Sequence, residues 1–227
     1  RLQSPAYKAS ALGAICDICF GKREWEQVDQ WVTKLLQAKL TPNQMARGLY
    51  QQGFANYQLK RHAKAAEVLE KVTPVAADAI WKTRSSYLLG ECYTISKDHV
   101  RAEPAFAAAL PGLEGSDKTE CHYRLGVTRF LLEKWAPAME QFEAFLQEEP
   151  KTRPKEQKKE NPHLKESQLY VGRCLLEQGE FQKLPQTNCI LLLPVARPGL
   201  HTPLDHDDPL STTSTESSDS YGTTNFL

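Results

Sequence analysis

Leu125-Gly126-Val127-Thr128-Arg129-Phe130-Leu131-Leu132-Glu133-Lys134-Trp135-Ala136-Pro137-Ala138-Met139-Glu140-Gln141-Phe142, closed by Pro150, is the stretch that decides the fold. It holds a large-small pair, Leu125-Gly126, then a bulky aromatic nine to ten residues on, Trp135, then Ala138 and Phe142 four apart. Residues three and four apart share one face of a helix. The stretch therefore predicts two helices in a hairpin, with the small residues where their backbones touch.

The pattern recurs along the chain. Leu89-Gly90, Ala102, Phe106 and Ala109 stand about 36 residues earlier, and Gln52-Gly53, Ala65, Leu69 and Val72 about 37 before those. Ile15-Cys16, Trp25, Val28, Val32 and Leu35 form a first copy, and Val171-Gly172, Gly179 and Phe181 open a fifth. A period of this length with Gly or Ala at the crossings resembles the tetratricopeptide repeat, whose unit is about 34 residues. The resemblance covers roughly residues 5–184. It implies an all-α solenoid of helical hairpins, about four full and one partial, with no sheet.

Local signals set the boundaries. Thr41-Pro42-Asn43-Gln44 reads as a capping box with proline at the first helical position, Thr73-Pro74 reads as the end of the second hairpin, and Asp98 as the N-cap of a helix in the third. Pro104 falls beyond the first turn of that helix, where it should cost roughly 3 kcal/mol and force a kink or a late start. Pro137 sits in a first turn and is tolerated. Lys151 to Asn161 is a charged insertion, expected to be a solvated loop or a helix extension, and Asn161-Pro162 restarts the helix.

After Phe181 the periodicity fails. Residues 185–227 are rich in Pro, Ser and Thr, and are expected to be a disordered tail foreign to the repeat array. The last full helix then loses its partner and should expose Leu169, Leu175 or Leu176, with Cys189 to Leu193 folding back over them or self-association covering them.

Composition narrows function. At 227 residues, with 41% hydrophobic and 25% charged side chains, the chain can bury a core. Lysines and arginines balance aspartates and glutamates at a formal net charge of zero, so no global field attracts nucleic acid or an anionic membrane. No apolar run approaches the roughly 20 residues of a membrane span. The chain opens on Arg1 with a periodic helix almost at once, so no signal peptide is expected, and a start without methionine suits a fragment or a processed product. Six scattered cysteines suit buried reduced thiols, favouring a cytoplasmic over a periplasmic location.

No catalytic constellation, cofactor or metal site is expected. Cys16-Asp17-Ile18-Cys19 has zinc or redox spacing but lacks the second ligand pair a structural zinc needs, and packing explains both cysteines. Cys121 and His122 diverge by about 100° on a helix. His201, Asp205, His206, Asp207 and Asp208 cluster in the tail, where no scaffold fixes their geometry.

In the tetratricopeptide family the first helix of each hairpin lines a concave groove. Carried over by register, the resemblance implies groove positions at Arg47, Tyr50, Phe54, Tyr57 and Gln58; at Arg84, Tyr87, Glu91, Thr94 and Ile95; at Glu120, Tyr123, Val127, Phe130 and Leu131; and at Glu166, Leu169, Arg173, Leu176 and Glu177. These residues are expected to face a ligand rather than fill the core between helices. Positions that grip a carboxylate with Lys and Asn in chaperone-binding members hold Gly13, Asp17, Tyr50 and Phe54, so a chaperone C-terminus is not the expected ligand. The expectation is a non-enzymatic scaffold or adaptor that binds a protein or peptide in an aromatic groove. Two alternatives remain, an RNA-binding helical repeat and the helical appendage of a larger enzyme.

Overall fold

The computed structural model describes residues 5–152 and 161–183. The helices are α1 (Pro5–Gly21), α2 (Trp25–Leu35), α3 (Pro42–Gln58), α4 (His62–Glu70), the single turn α5 (Val72–Val75), α6 (Ala79–Ile95), α7 (His99–Ala109), α8 (Gly115–Leu131), α9 (Trp135–Thr152) and α10 (Pro162–Glu177). No strand occurs among the described residues. Four hairpins, α1/α2, α3/α4, α6/α7 and α8/α9, stack in chain order, and α10 packs on α9 and α8. Each of α2, α4, α7 and α9 lies between the first helix of its own hairpin and that of the next.

The small residues do what the sequence pattern requires of them. A β-carbon on Gly53 would stand 2.5 Å from Leu69, and one on Gly126 2.8 Å from Phe142. In the second, third and fourth hairpins the bulky partner lies sixteen residues after the glycine and is fully buried. Leu69, Phe106 and Phe142 thus act as plugs that hold the two helices of a hairpin together by burial.

The hairpin turns share one device. Arg23, Lys60, Lys97 and Glu133 all adopt φ of 58° or 59°, and Gly179 takes 73°. At each, the left-handed residue donates its N–H three residues back, as Lys97 does to Thr94 O at 2.9 Å, and the next N–H reaches five back, as Asp98 does to Tyr93 O at 2.8 Å. This is a helix C-cap motif that satisfies the last carbonyls, here with a long polar residue where glycine is preferred.

Most boundary signals read from the sequence are present. Thr41 and Gln44 form the reciprocal capping box, Asp98 accepts from Arg101 N, and Asn161 accepts from His163 N at 3.0 Å. Asn43 also ties hairpins together, donating to Asp78 at 2.6 Å and accepting from the N–H groups of Ala77 and Asp78.

Three further expectations are resolved by the structure. Of the kink or late start expected at Pro104, the late start does not occur, since α7 starts at His99 and continues through Pro104. Helix α4 ends at Glu70, and Thr73 and Pro74 lie in α5, the turn that closes the second hairpin and whose first turn tolerates proline. The last helix is expected to expose Leu169, Leu175 or Leu176, and Leu169 is exposed while Leu175 is buried at 5%. The inserted charged segment begins as an extension of α9 through Thr152. Its residues 153–160, and the tail with its His/Asp cluster and Cys189 to Leu193, lie outside the described residues.

Candidate functional site

A pocket of about 120 Å³ opens where α1, α3 and α6 meet, lined by Asp17, Phe20, Arg47, Tyr50, Gln51, Trp81 and Arg84. Its walls come from the first helices of three successive hairpins, so these helices share one face. Aromatic rings run unbroken beneath it. Trp25 lies 5.5 Å from Phe20 and 5.6 Å from Phe54, Phe20 lies 5.3 Å from Phe54, and Tyr50 lies 6.2 Å from Phe54 and 5.7 Å from Trp81. These separations are the favoured range for offset and edge-on contacts. Tyr50 is buried, and burial pushes its phenol up to about 12. Trp25, Phe20, Phe54 and Trp81 stay half-buried.

Charge frames the pocket. Arg47 donates to Asp17 Oδ1 at 2.6 Å, and Gln51 Nε2 donates to the same oxygen at 2.8 Å. The Arg47 side chain is 51% exposed despite that bond. The Arg84 guanidinium lies 5.6 Å from the centre of the Trp81 ring, within cation–π range.

Farther along, the positions named from the sequence divide. Tyr57 packs edge-on against His62 and Tyr87 against Phe106, both half-buried. Glu91 pairs with Arg124 at 3.4 Å, and burial raises its carboxyl above the usual range while Arg124 opposes the shift. Arg173 is exposed and lies over the Phe130 ring at 5.4 Å.

Tyr123, Val127 and Phe130, in contrast, are buried at 3%, 6% and 6%, within one cluster with Phe142, Phe145 and Tyr170. The expectation that groove positions leave the core between helices unfilled fails there. The cause is α10: His163 stacks on Tyr123 at 4.0 Å, Glu166 accepts the Tyr123 hydroxyl at 2.6 Å, and Tyr170 lies 4.7 Å from Phe130. Trp81 covers Tyr50 from the same repeat position that His163 uses over Tyr123, whereas that position in the intervening hairpin holds Asp117. Tyr87 accordingly stays more open than either tyrosine.

Other candidates resolve as packing. Cys16 and Cys19 are buried in the first hairpin's core, where burial pushes the Cys16 thiol up to about 11 and also raises Cys19. Cys121 is fully buried and donates to Phe106 O at 3.5 Å, and His122 meets Gln141 Oε1 at 3.0 Å. Among the described residues no three potential metal ligands converge, and no helix is long and apolar enough to cross a membrane.

The sequence reading missed Phe20, Gln51 and Trp81 as lining residues, and it missed the charge clasps between hairpins. Asp29 on α2 accepts from Gln52 at 2.8 Å, Asn56 at 3.1 Å and Lys64 at 2.6 Å. Burial alone would raise its pKa, but bonds from Lys64, Gln52 and Asn56 outweigh this and hold it below the ordinary aspartate value. Glu103 on α7 takes the same place two hairpins later and accepts from Arg129 at 3.2 Å and from Lys134. An acid recurring at one repeat position was the available signal.

The model of the tetratricopeptide repeat family matches residues 47–73 and 120–152, which fall in the second and fourth hairpins. No curated protein matches the chain. Among solved structures, MamA (residues 41 to the end) from Desulfovibrio magneticus RS-1 aligns at TM-score 0.58 and 17% identity, over 78% of this chain and 89% of that one. A putative kinesin light chain of Podosopora anserina with nearly identical TPR-like repeats aligns at 0.56 and 16%, over 80% and 92%. YrrB, described as a TPR protein with an unusual peptide-binding site, aligns at 0.57 and 14%, over 78% of each chain. Proteins built on this repeat generally mediate protein–protein interactions, and such scaffolds are typically non-enzymatic. The two matched hairpins, the repeated plug and turn geometry and the shared fold make this chain a tetratricopeptide repeat protein.

Proposed function

We propose that the protein is an interaction scaffold whose peptide site is the groove across α1, α3 and α6, extending to Tyr57, Tyr87, Glu91 and the accessible edge of α8. The observation that carries this reading is the unbroken run of rings from Trp25 to Trp81, half-buried at every ring but the buried Tyr50, beneath a rim of two arginines. Aromatic and arginine side chains in partly desolvated surroundings are the groups that dominate binding energy, and a solenoid face suits an extended peptide or a helix. Arg47 and Arg84 would orient a ligand carboxylate, with Arg47 exchanging its bond to Asp17 for a bond to the ligand. Tyr123, Val127 and Phe130 would support the groove from beneath, and Arg173 would mark its far rim.

Titrating synthetic peptides that pair an aromatic residue with a carboxylate, read by the fluorescence of Trp25 and Trp81, tests the reading. Trp81→Ala or Phe54→Ala should weaken a binding peptide by at least about 2 kcal/mol while the helical circular dichroism stays that of the parent. Undiminished binding in the folded double variant would move the site elsewhere.

A further inference from the structure

One trio of groove positions is filled in two different ways along the array. Between the first and second hairpins it holds Asp17, six residues before its left-handed turn residue, and Arg47 and Gln51, thirteen and nine before theirs. Both donate to one Asp17 oxygen, at 2.6 Å and 2.8 Å. Between the third and fourth hairpins the same three positions hold Glu91, Glu120 and Arg124. A second carboxylate thus takes the place of the first interface's arginine. One guanidinium serves both acids, its Nε 3.4 Å from Glu91 and 3.0 Å from Glu120. Neither approach is aligned as a hydrogen bond, and Arg124 Nε and Glu91 Oε1 are both buried without a hydrogen-bond partner. A buried carboxylate oxygen without a donor has lost the bonds that water gave it. The cluster opens onto the groove, since the Glu120 side chain is 29% exposed. The charges of Glu91 and Arg124 reach the phenols of Tyr57 and Tyr87, which places the cluster among the groove's rings.

We propose that Glu91 and Glu120 hold a lysine or arginine side chain of the bound peptide, an inference that rests on the groove being the peptide site. The guest cation supplies what Arg47 supplies at the first interface. Two carboxylates against one guanidinium leave a negative charge, so the cluster admits a cation and repels a carboxylate. An ammonium or guanidinium carries donors enough for both acids. The wider groove agrees. The position thirteen residues before the turn reads Arg47, Arg84, Glu120 and Glu166 along the array, so its sign changes between α6 and α8. Glu166 already accepts the Tyr123 hydroxyl, whereas Glu120 meets Arg124 alone among the described residues. Packed helices lie about 8–10 Å apart, which an extended chain covers in about three residues at roughly 3.3 Å each. A peptide whose carboxylate lies at Arg84 therefore presents its basic residue about three positions away, and the two charges together fix its direction.

Titrating ten-residue peptides against the full chain, read by its tryptophan fluorescence, tests this. Each peptide is alanine and serine with one phenylalanine beside one aspartate; two carry a lysine three residues before or three after the aspartate, and the third carries alanine at both places. One lysine peptide should bind at least about tenfold more tightly than the alanine peptide. Glu120→Gln, with the parent's circular dichroism, should bring those two affinities within about twofold of each other. Glu120→Lys should reverse the order, so that glutamate in place of the lysine makes the better ligand. If a Glu120 variant melts below the parent, Glu91→Gln is read in its place. Lysine peptides that bind no tighter than the alanine peptide, or an advantage that survives both glutamine variants, overturn the inference and leave the groove as the peptide site. If none of the three binds up to about 1 mM, the groove reading falls and this inference falls with it.

Discussion

The ring of Phe106 occupies the space that a side chain on Gly90 would need: a β-carbon there would stand 2.6 Å from two ring atoms. Phe106 is fully buried and edge-on to Tyr87 at 5.7 Å, so it has little freedom to withdraw. Gly90→Ala and Gly126→Ala should each cost about 1–3 kcal/mol through overpacking, and the leucine variants more. Chemical denaturation of both alanine variants measures this, and midpoints equal to the parent's would show that the plugs yield.

Gly13 and Gly21 offer the opposite case. A β-carbon on Gly13 meets nothing within 4 Å, and the residue sits inside α1. Gly13→Ala should therefore stabilise the protein by about 0.5–1 kcal/mol by restricting the unfolded chain. A thermal melt that rises confirms it.

The turns hold a further reserve. Lys60 and Lys97 pay for a left-handed conformation that glycine adopts freely. Lys97→Gly should raise stability by about 0.5–1 kcal/mol, while Lys97→Val should lower it, since a β-branched residue resists positive φ. Unfolding of the pair under identical conditions checks the sign of each.

Asp29 makes the clasp between the first and second hairpins pH-dependent. Its folded pKa lies below the ordinary aspartate value of 3.8, so its contribution is present above that pH and is lost as pH falls through the depressed folded value. In that window the unfolded state binds more protons, and stability rises with pH. Asp29→Asn should lower stability at neutral pH and flatten the acid limb of a stability–pH curve. An unchanged acid limb would place the titration elsewhere, for instance at Glu103.

Much of this architecture was legible because packing between helices imposes strict local rules. A glycine facing a plug, a threonine three residues before a glutamine and an aspartate before a helix all act within one hairpin, so sequence spacing carries them. The site was less legible, because its character comes from contacts across hairpins. Whether Tyr50, Tyr87 or Tyr123 is open depends on Trp81, Asp117 or His163 in the following unit, at a position the repeat pattern does not constrain. The burial of Phe130 likewise depends on Tyr170 of α10, beyond an insertion that breaks the period.

The buried cysteines have a use beyond filling space. Cys16 and Cys19 lie in the first hairpin, Cys92 in the third, Cys121 in the fourth and Cys174 in α10, and all are free thiols. Burial pushes Cys92 and Cys121 up to about 12 and Cys174 to about 11, so their thiolates are scarce while the helices stay closed. Alkylation then waits on local opening, which in a solenoid of neighbour-to-neighbour contacts proceeds unit by unit. Every hairpin but the second thus carries its own clock, and the order in which the thiols react would reveal from which end the array unravels.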